Sequence, residues 1–225
     1  NLKRCWRRRS PRLKSCRINQ RWSAAGFDKL CCVNRQDNRQ LNERRPAMLN
    51  AIPSIFLVGP MGAGKTTVGR RLAETLRREF LDSDLMIEQR AGAGIPLIFE
   101  LEGEAGFRAR EKTIIAELTQ RPALVLATGG GAVLDPDNRR CLAGRGFVVY
   151  LCAAVDEQLR RTRGDDSRPL LQTADPRARL AQLFAQRDPL YRNIADLIVV
   201  SDGQTLRAIV QQILDRLAPD AAWHR

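Results

Sequence analysis

Apolar and polar positions alternate along residues 50–225 in a way that orders the secondary structure. Five short apolar runs recur: Ser54–Val58, Glu79–Ser83, Ala123–Ala127, Phe147–Leu151 and Asp196–Val200. Short, nearly continuous apolar runs bounded by Gly, Pro or acidic residues read as buried parallel strands. Helical patterns fill the gaps. Val68, Leu72 and Leu76 recur on one face after the first run, and Leu85–Arg90 then leads to a turn at Ala91–Gly94. Ile95–Leu101 reads as a short helix through Ile95, Ile98 and Phe99. Phe107–Leu118 reads as a longer one through Phe107, Ile114, Ile115 and Leu118. Asp135–Leu142, Val155–Arg163, Pro176–Tyr191 and Thr205–Leu217 complete the set, and Gly164–Asp175 is polar and loop-like. Strands alternating with helices predict an α/β fold: a five-stranded parallel sheet, doubly wound, with right-handed crossovers and helices on both faces. Such sheets bind ligands beyond the carboxyl ends of their strands.

The first strand leads directly into Gly59-Pro-Met-Gly62-Ala63-Gly64-Lys65-Thr66-Thr67, which satisfies G-x-x-x-x-G-K-[ST]. Glycines let backbone N–H groups turn inward without Cβ clashes, and the helix start near Lys65 adds unpaired N–H groups. Lys65 is placed to reach the β- and γ-phosphates of a nucleoside triphosphate, and Thr66 to offer its hydroxyl to Mg²⁺. The structural alternative, a turn that only joins strand to helix, fits poorly with a complete motif in the strand–loop–helix context.

Asp82 and Asp84 close the second strand and, on an extended segment, point to the same side. One carboxylate near the metal and one facing an acceptor hydroxyl suits phosphoryl transfer. A strand end that merely caps the next helix is the alternative, and the position one βα unit after the phosphate loop weighs against it. Gly129-Gly130-Gly131 follows the third strand and implies close backbone approach to a small substrate. Arg108 and Arg192 lie on two separate helices and suit a clamp on a substrate carboxylate. Arg161, Arg163 and Arg168 lie in or beside the polar loop, where a mobile lid would carry cations to the transferring phosphate. Arg70, Arg71, Arg77 and Arg78 read instead as a solvated face.

Charge divides the chain. Residues 1–49 hold 14 Lys and Arg against 3 Asp and Glu, whereas residues 50–225 hold 24 against 22. The basic segment 1–49 shows no sustained helical or strand period and no long apolar stretch, so it reads as neither signal peptide nor membrane span. Three readings stand: a disordered basic arm that contacts nucleic acid non-specifically through phosphates, an Arg-rich transit peptide, and sequence upstream of a natural start at Met48. The last carries most weight, because Met48 stands six residues before the first strand. Four of the six Cys lie in the arm. Cys141 and Cys152 have no metal-ligand spacing and fit small packed residues in a reducing compartment. The only His is His224, which removes mechanisms built on a histidine base.

The ordered set GPMGAGKTTVGRRLA, DSD, FELEGEAGFRAREK, ATGGGAV, RTRGDDSRPLL and RDPLYRNIAD resembles bacterial shikimate kinase over residues 52–217. The resemblance implies a nucleoside-monophosphate-kinase-like P-loop fold with a lid loop, ATP as co-substrate, Mg²⁺ as cofactor and shikimate as acceptor. It implies that Gly62–Thr67, Arg161 and Arg168 serve ATP, with Arg161 along the adenine and Arg168 on the lid. It assigns Thr66 and Asp82 to the metal, and Asp84, Arg108, Gly130, Gly131 and Arg192 to shikimate, with Phe99 and Phe107 as aromatic walls. Lys65, Asp84 and Arg168 are then the catalytic candidates. The expected protein is a cytoplasmic monomer with no membrane contact, comprising an N-terminal extension, 1–49, and a kinase domain, 50–225. Two rivals remain: a gluconate or nucleoside-monophosphate kinase of the same fold, and a nucleic-acid-associated ATP-binding protein that uses the arm.

Overall fold

The computed structural model describes residues 52–163, 169–171 and 173–217. The basic arm, Arg168 and half of the expected lid loop lie outside the described residues. Five strands form one parallel sheet: β1 (Ile55–Val58), β2 (Glu79–Asp82), β3 (Leu124–Ala127), β4 (Phe147–Cys152) and β5 (Leu197–Val200), in the order β2-β3-β1-β4-β5. Among the described residues, seven helices of eight or more residues connect or close it: α1 (Lys65–Leu76), α2 (Ser83–Ala91), α3 (Ile95–Leu118), α4 (Pro136–Arg145), α5 (Val155–Thr162), α6 (Pro176–Ile194) and α7 (Leu206–Leu217). The central strands β1, β3 and β4 are buried on both sides, which is why their sequences read as unbroken apolar runs.

Alternation along the strands sends side chains to two cores. Ile55 and Leu57 face α1 and α7, where they pack with Val68, Leu72, Ile209 and Ile213. Phe56 and Val58 face the other way and pack with Ile87, Ile115, Leu142 and Tyr191 of α2, α3, α4 and α6. Residue by residue, the register pairs Leu57 with Ala127 and with Val149. The carboxyl ends of β1 and β3 therefore lie level, and the loops that follow them open on the same side of the sheet.

One expectation holds and one changes. The two helices expected at 95–101 and 107–118 are present, and they meet end to end at a kink at Gly103, whose φ of 70° and ψ of −179° are not helical, so the label α3 spans both. A left-handed φ is cheap only for glycine, so the break sits where the sequence permits it. In addition, β2 stops at Asp82 and α2 begins at Ser83. Asp84 therefore stands in a first helical turn, not on an extended segment. A 3₁₀ turn at Ala132–Leu134 follows the glycine run.

Candidate active site

The loops beyond β1, β2 and β3 enclose a cavity of about 420 Å³ with α1, α3, α5 and α6 around it. At its floor, the Lys65 ammonium donates to the carbonyls of Gly59 and Pro60, at 2.8 Å each. These bonds lay the lysine stem across the loop and hold its charge at the loop's centre. Ala63 departs from the expected set: its methyl is buried in the core, and its N–H donates within the loop to Pro60 O at 3.3 Å. Gly62, Gly64, Thr66 and Thr67 do line the cavity.

The Thr66 hydroxyl donates to Asp82 Oδ2 at 2.9 Å, while Asp82 Oδ1 accepts from the Asp84 amide at 3.1 Å. Asp82 thus caps α2 and faces the phosphate loop at once; the capping role and the metal-facing role coexist. A hydroxyl and a carboxylate side by side are hard oxygen donors, the kind Mg²⁺ uses together with phosphate oxygens and water. Among the described residues no cluster of three or more His, Cys, Asp or Glu forms a dedicated metal cage.

Asp84 stands above this pair. Its Oδ1 is buried and finds no partner among the described residues. Burial, then the charges of Asp82 and Glu111, push its pKa up to about 7, against the pull of Lys65 and Arg108. Glu111 is 1% exposed; one oxygen takes the Arg108 Nη1 bond at 2.7 Å, and Oε1 is buried without a partner among the described residues. Burial pushes its pKa up too, with Arg108 opposing. A Cβ added at Gly129 would lie 2.5 Å from Asp84 Oδ1 and 2.7 Å from Glu111 Oε1. Two unsatisfied acceptors therefore crowd one bare backbone, an arrangement suited to hydroxyl donors on a ligand.

Arg108 lies against Gly131, where a Cβ would meet its guanidinium at 2.3 Å. Glu104 and Glu111 hold its edges, at 3.0 Å and 2.7 Å, and more than offset the effect of burial, so its pKa rises. The glycine run is thus explained at Gly129 and Gly131 by side chains pressed on the backbone. Gly130 leaves more room, with its nearest neighbour, Met61 N, 3.5 Å from a built Cβ. The Gly129 amide is already engaged by Ser83 Oγ at 2.9 Å. Phe99 and Phe107 form a wall with ring centroids 4.8 Å apart.

The second arginine of the expected clamp is corrected. Arg192 is half exposed, its Nε pairs with Asp188 Oδ2 at 2.7 Å, and it does not line the cavity. Arg187 does: it is 4% exposed, and its Nε is buried without a partner among the described residues. Helix geometry is the reason. The inward face of α6 carries Leu180, Leu183, Arg187, Tyr191 and Ile194, and Arg192 points about 140° away from Arg187 around the axis. Burial draws the Arg187 pKa down, and the nearby Arg108 charge adds to that. Glu111 and Arg187 were both absent from the expected set. An arginine in phase with Leu180 and Leu183, and a glutamate four residues after Phe107, were the available signals.

Arg161 also lines the cavity. Its guanidinium bonds Gly62 O at 3.1 Å, Ser201 O at 3.0 Å and Glu157 at 2.6 Å, so its rim is held and its flat faces remain for stacking. Leu170, on the 3₁₀ turn Pro169–Leu171, closes the mouth beside it.

A sheet of this order, with a phosphate loop on β1 and a buried acid and two arginines across the same cavity, defines a small-molecule kinase of the P-loop class. A family model described as shikimate kinase matches residues 61–218. The shikimate kinase of Halorhodospira halophila is 59% identical over 163 residues, which cover 72% of this chain and 92% of that protein. That of Hahella chejuensis is 53% identical over 169 residues, covering 75% and 88%. The fold is similar to shikimate kinase from Acinetobacter baumannii in complex with shikimate, at 55% identity and a TM-score of 0.73 over 74% of this chain and 93% of that one. It is similar also to the Aquifex aeolicus enzyme, at 31% identity and 0.66 over 76% and 99%. The chain belongs to the shikimate kinase family.

Proposed function

We propose the following assignment of residues for the reaction of this family, transfer of the γ-phosphoryl group of ATP to the 3-hydroxyl of shikimate to give shikimate 3-phosphate and ADP. The observation that carries it is the convergence of Asp84, Glu111, Arg108 and Arg187 with the phosphate loop in a single cavity. Arg187 and Arg108 take the shikimate carboxylate, and Arg187 supplies the less compensated charge, because two glutamates already flank Arg108. Asp84 accepts the hydrogen bond of the reacting hydroxyl, and Glu111 lies beside it as a further acceptor for the ring. Phe99 and Phe107 cover the apolar side of the ring.

On the donor side, Lys65 turns from the Gly59 and Pro60 carbonyls to the β- and γ-phosphates, and the amides of the loop and of the first turn of α1 grip the remaining oxygens. Arg161 stacks along the adenine. Thr66 and Asp82 hold Mg²⁺, which when bound neutralises charge on the β- and γ-phosphate oxygens. The shikimate oxygen attacks the γ-phosphorus in line as the bond from that phosphorus to the β,γ-bridging oxygen breaks and ADP leaves, and the hydroxyl proton passes to Asp84 Oδ1. The transition state is loose, so positioning and charge outweigh base strength. Arg168, the lid cation that the family resemblance implies, lies outside the described residues.

Residues 50–225 are the catalytic unit and 1–49 an extension. The enzyme works as a cytoplasmic monomer, with nucleic-acid contact confined to the basic arm. Among the described residues no helix is long and apolar enough to cross a membrane. The test is ADP release, coupled to an optical readout, with shikimate and gluconate as acceptors. Turnover with shikimate alone supports the assignment; preference for gluconate overturns it.

A further inference from the structure

Tyr191 is a fully buried residue whose hydroxyl donates to the carbonyl of Gly130 at 2.5 Å and is also hydrogen-bonded with the Arg187 side chain. Gly130 lies in the cavity wall, and so does Arg187, one helical turn before Tyr191 on the same face of α6. Between them stands Pro189, inside the helix. Proline has no N–H, so the bond that would return to the Ala185 carbonyl is missing, and the helix is least constrained by its own backbone where it presents Arg187. The constraint comes from side chains. The Tyr191 ring stacks on Tyr150 of β4 with centroids 4.9 Å apart, and the Tyr150 hydroxyl donates to Asp188 Oδ1 at 2.7 Å. Asp188 also holds Arg192. Burial raises the Tyr191 pKa, so its hydroxyl stays protonated and donating.

We infer that Tyr191 is a positioning residue for acceptor recognition: its hydroxyl fixes the Gly130 backbone against α6 and thereby sets the distance between the glycine run and the Arg187 guanidinium. The inference rests on the proposal that this cavity takes the shikimate carboxylate. A merely packed tyrosine would need its ring but not its hydroxyl. The Tyr150–Asp188–Arg192 group, by contrast, anchors the helix from outside and touches neither the glycine run nor the cavity.

The decisive variant is Tyr191→Phe, which keeps the ring and removes the hydroxyl that ties Gly130 and Arg187 together. A buried carbonyl losing its donor corresponds to roughly tenfold in binding. KM for shikimate should rise about tenfold, with KM for ATP and kcat near those of the unaltered protein, while the thermal midpoint falls no further than in Tyr150→Phe. Calorimetric titration of shikimate without nucleotide should show the same loss. Tyr150→Phe breaks the Asp188 bond and spares Gly130, so it should lower the thermal midpoint without the selective rise in shikimate KM. The inference is overturned if Tyr191→Phe binds shikimate normally, if KM for both substrates rises in parallel, or if Tyr150→Phe gives the same selective loss. Failure of the underlying assignment is distinguishable, because the unaltered protein would then not phosphorylate shikimate at all.

Discussion

At the scale of single residues, the two aspartates and the two arginines of the acceptor side separate cleanly. Asp84→Asn should cut shikimate phosphorylation by about 10²–10⁴-fold, the usual range for a positioned acid–base group, and leave ATP affinity almost unchanged. Asp82→Asn should instead raise the Mg²⁺ needed for half-maximal rate; matched titrations of Mg²⁺, ATP and shikimate decide between them. The pH dependence has a definite sign. On the proposed assignment Asp84 takes the hydroxyl proton only when ionised, and burial and neighbouring carboxylates raise its pKa to about 7 from an ordinary 3.8, so kcat/KM for shikimate should climb with pH through neutrality. Stability runs the other way. A carboxyl with a raised folded pKa favours folding at low pH and loses that contribution as pH rises toward 7. Asp84→Asn should therefore flatten the acid limb and gain thermal stability relative to the parent, more at pH 8 than at pH 5. Arg187→Ala should raise shikimate KM steeply, whereas Arg192→Ala should cost some stability and little acceptor affinity; steady-state kinetics at saturating ATP measure both. Lys65, Asp82 and Asp84 were legible in the sequence because their neighbours form a motif with one chemical meaning. Arg187 and Glu111 were not, since each sits within an apolar helical stripe and a charged residue there is ordinarily taken as the solvated side. Arg192 was chosen by its proximity to Leu190-Tyr191, and only the phase of α6 reveals that it points outward.

Among the elements, the five strands were legible because buried parallel strands leave short apolar runs with sharp ends. The start of α2 was less so: Asp82 accepts the Asp84 amide and turns the chain helical two residues sooner than apolar pattern alone suggests. The two helices within α3 were legible because Gly103 and the acidic residues around it read as a break, although the junction is a kink shorter than the linker expected between them. The glycine run after β3 was read as a substrate grip through its amides, whereas its tightest constraint is the room it leaves for Asp84, Glu111 and Arg108. This gives a prediction for the element as a whole. Gly129→Ala places a methyl within 2.7 Å of both carboxylates and should abolish most turnover with shikimate while nucleotide binding persists. Equilibrium nucleotide binding beside the acceptor assay checks it, and retained activity would show that the wall can shift.

For the molecule as a whole, the net charge of the chain belongs almost entirely to residues 1–49, and both described cores lie within residues 52–217. A chain starting at Met48 should fold and phosphorylate shikimate as the longer one does; thermal melting and activity at equal folded concentration test this. The two cores have a further consequence. The helix that follows the phosphate loop rests on one face of the sheet, and the helices bearing Asp84, Arg108, Glu111 and Arg187 rest on the other. On the proposed assignment the donor and acceptor groups stand mainly on opposite layers, joined by the strands and by Asp82, which bonds Thr66 of α1 and caps α2. Such a layout lets inheritance act on the halves separately. Substitutions that accumulate on the α2, α3 and α6 side can retune which hydroxyl compound is chosen, while the machinery that spends the nucleotide passes unchanged to each descendant.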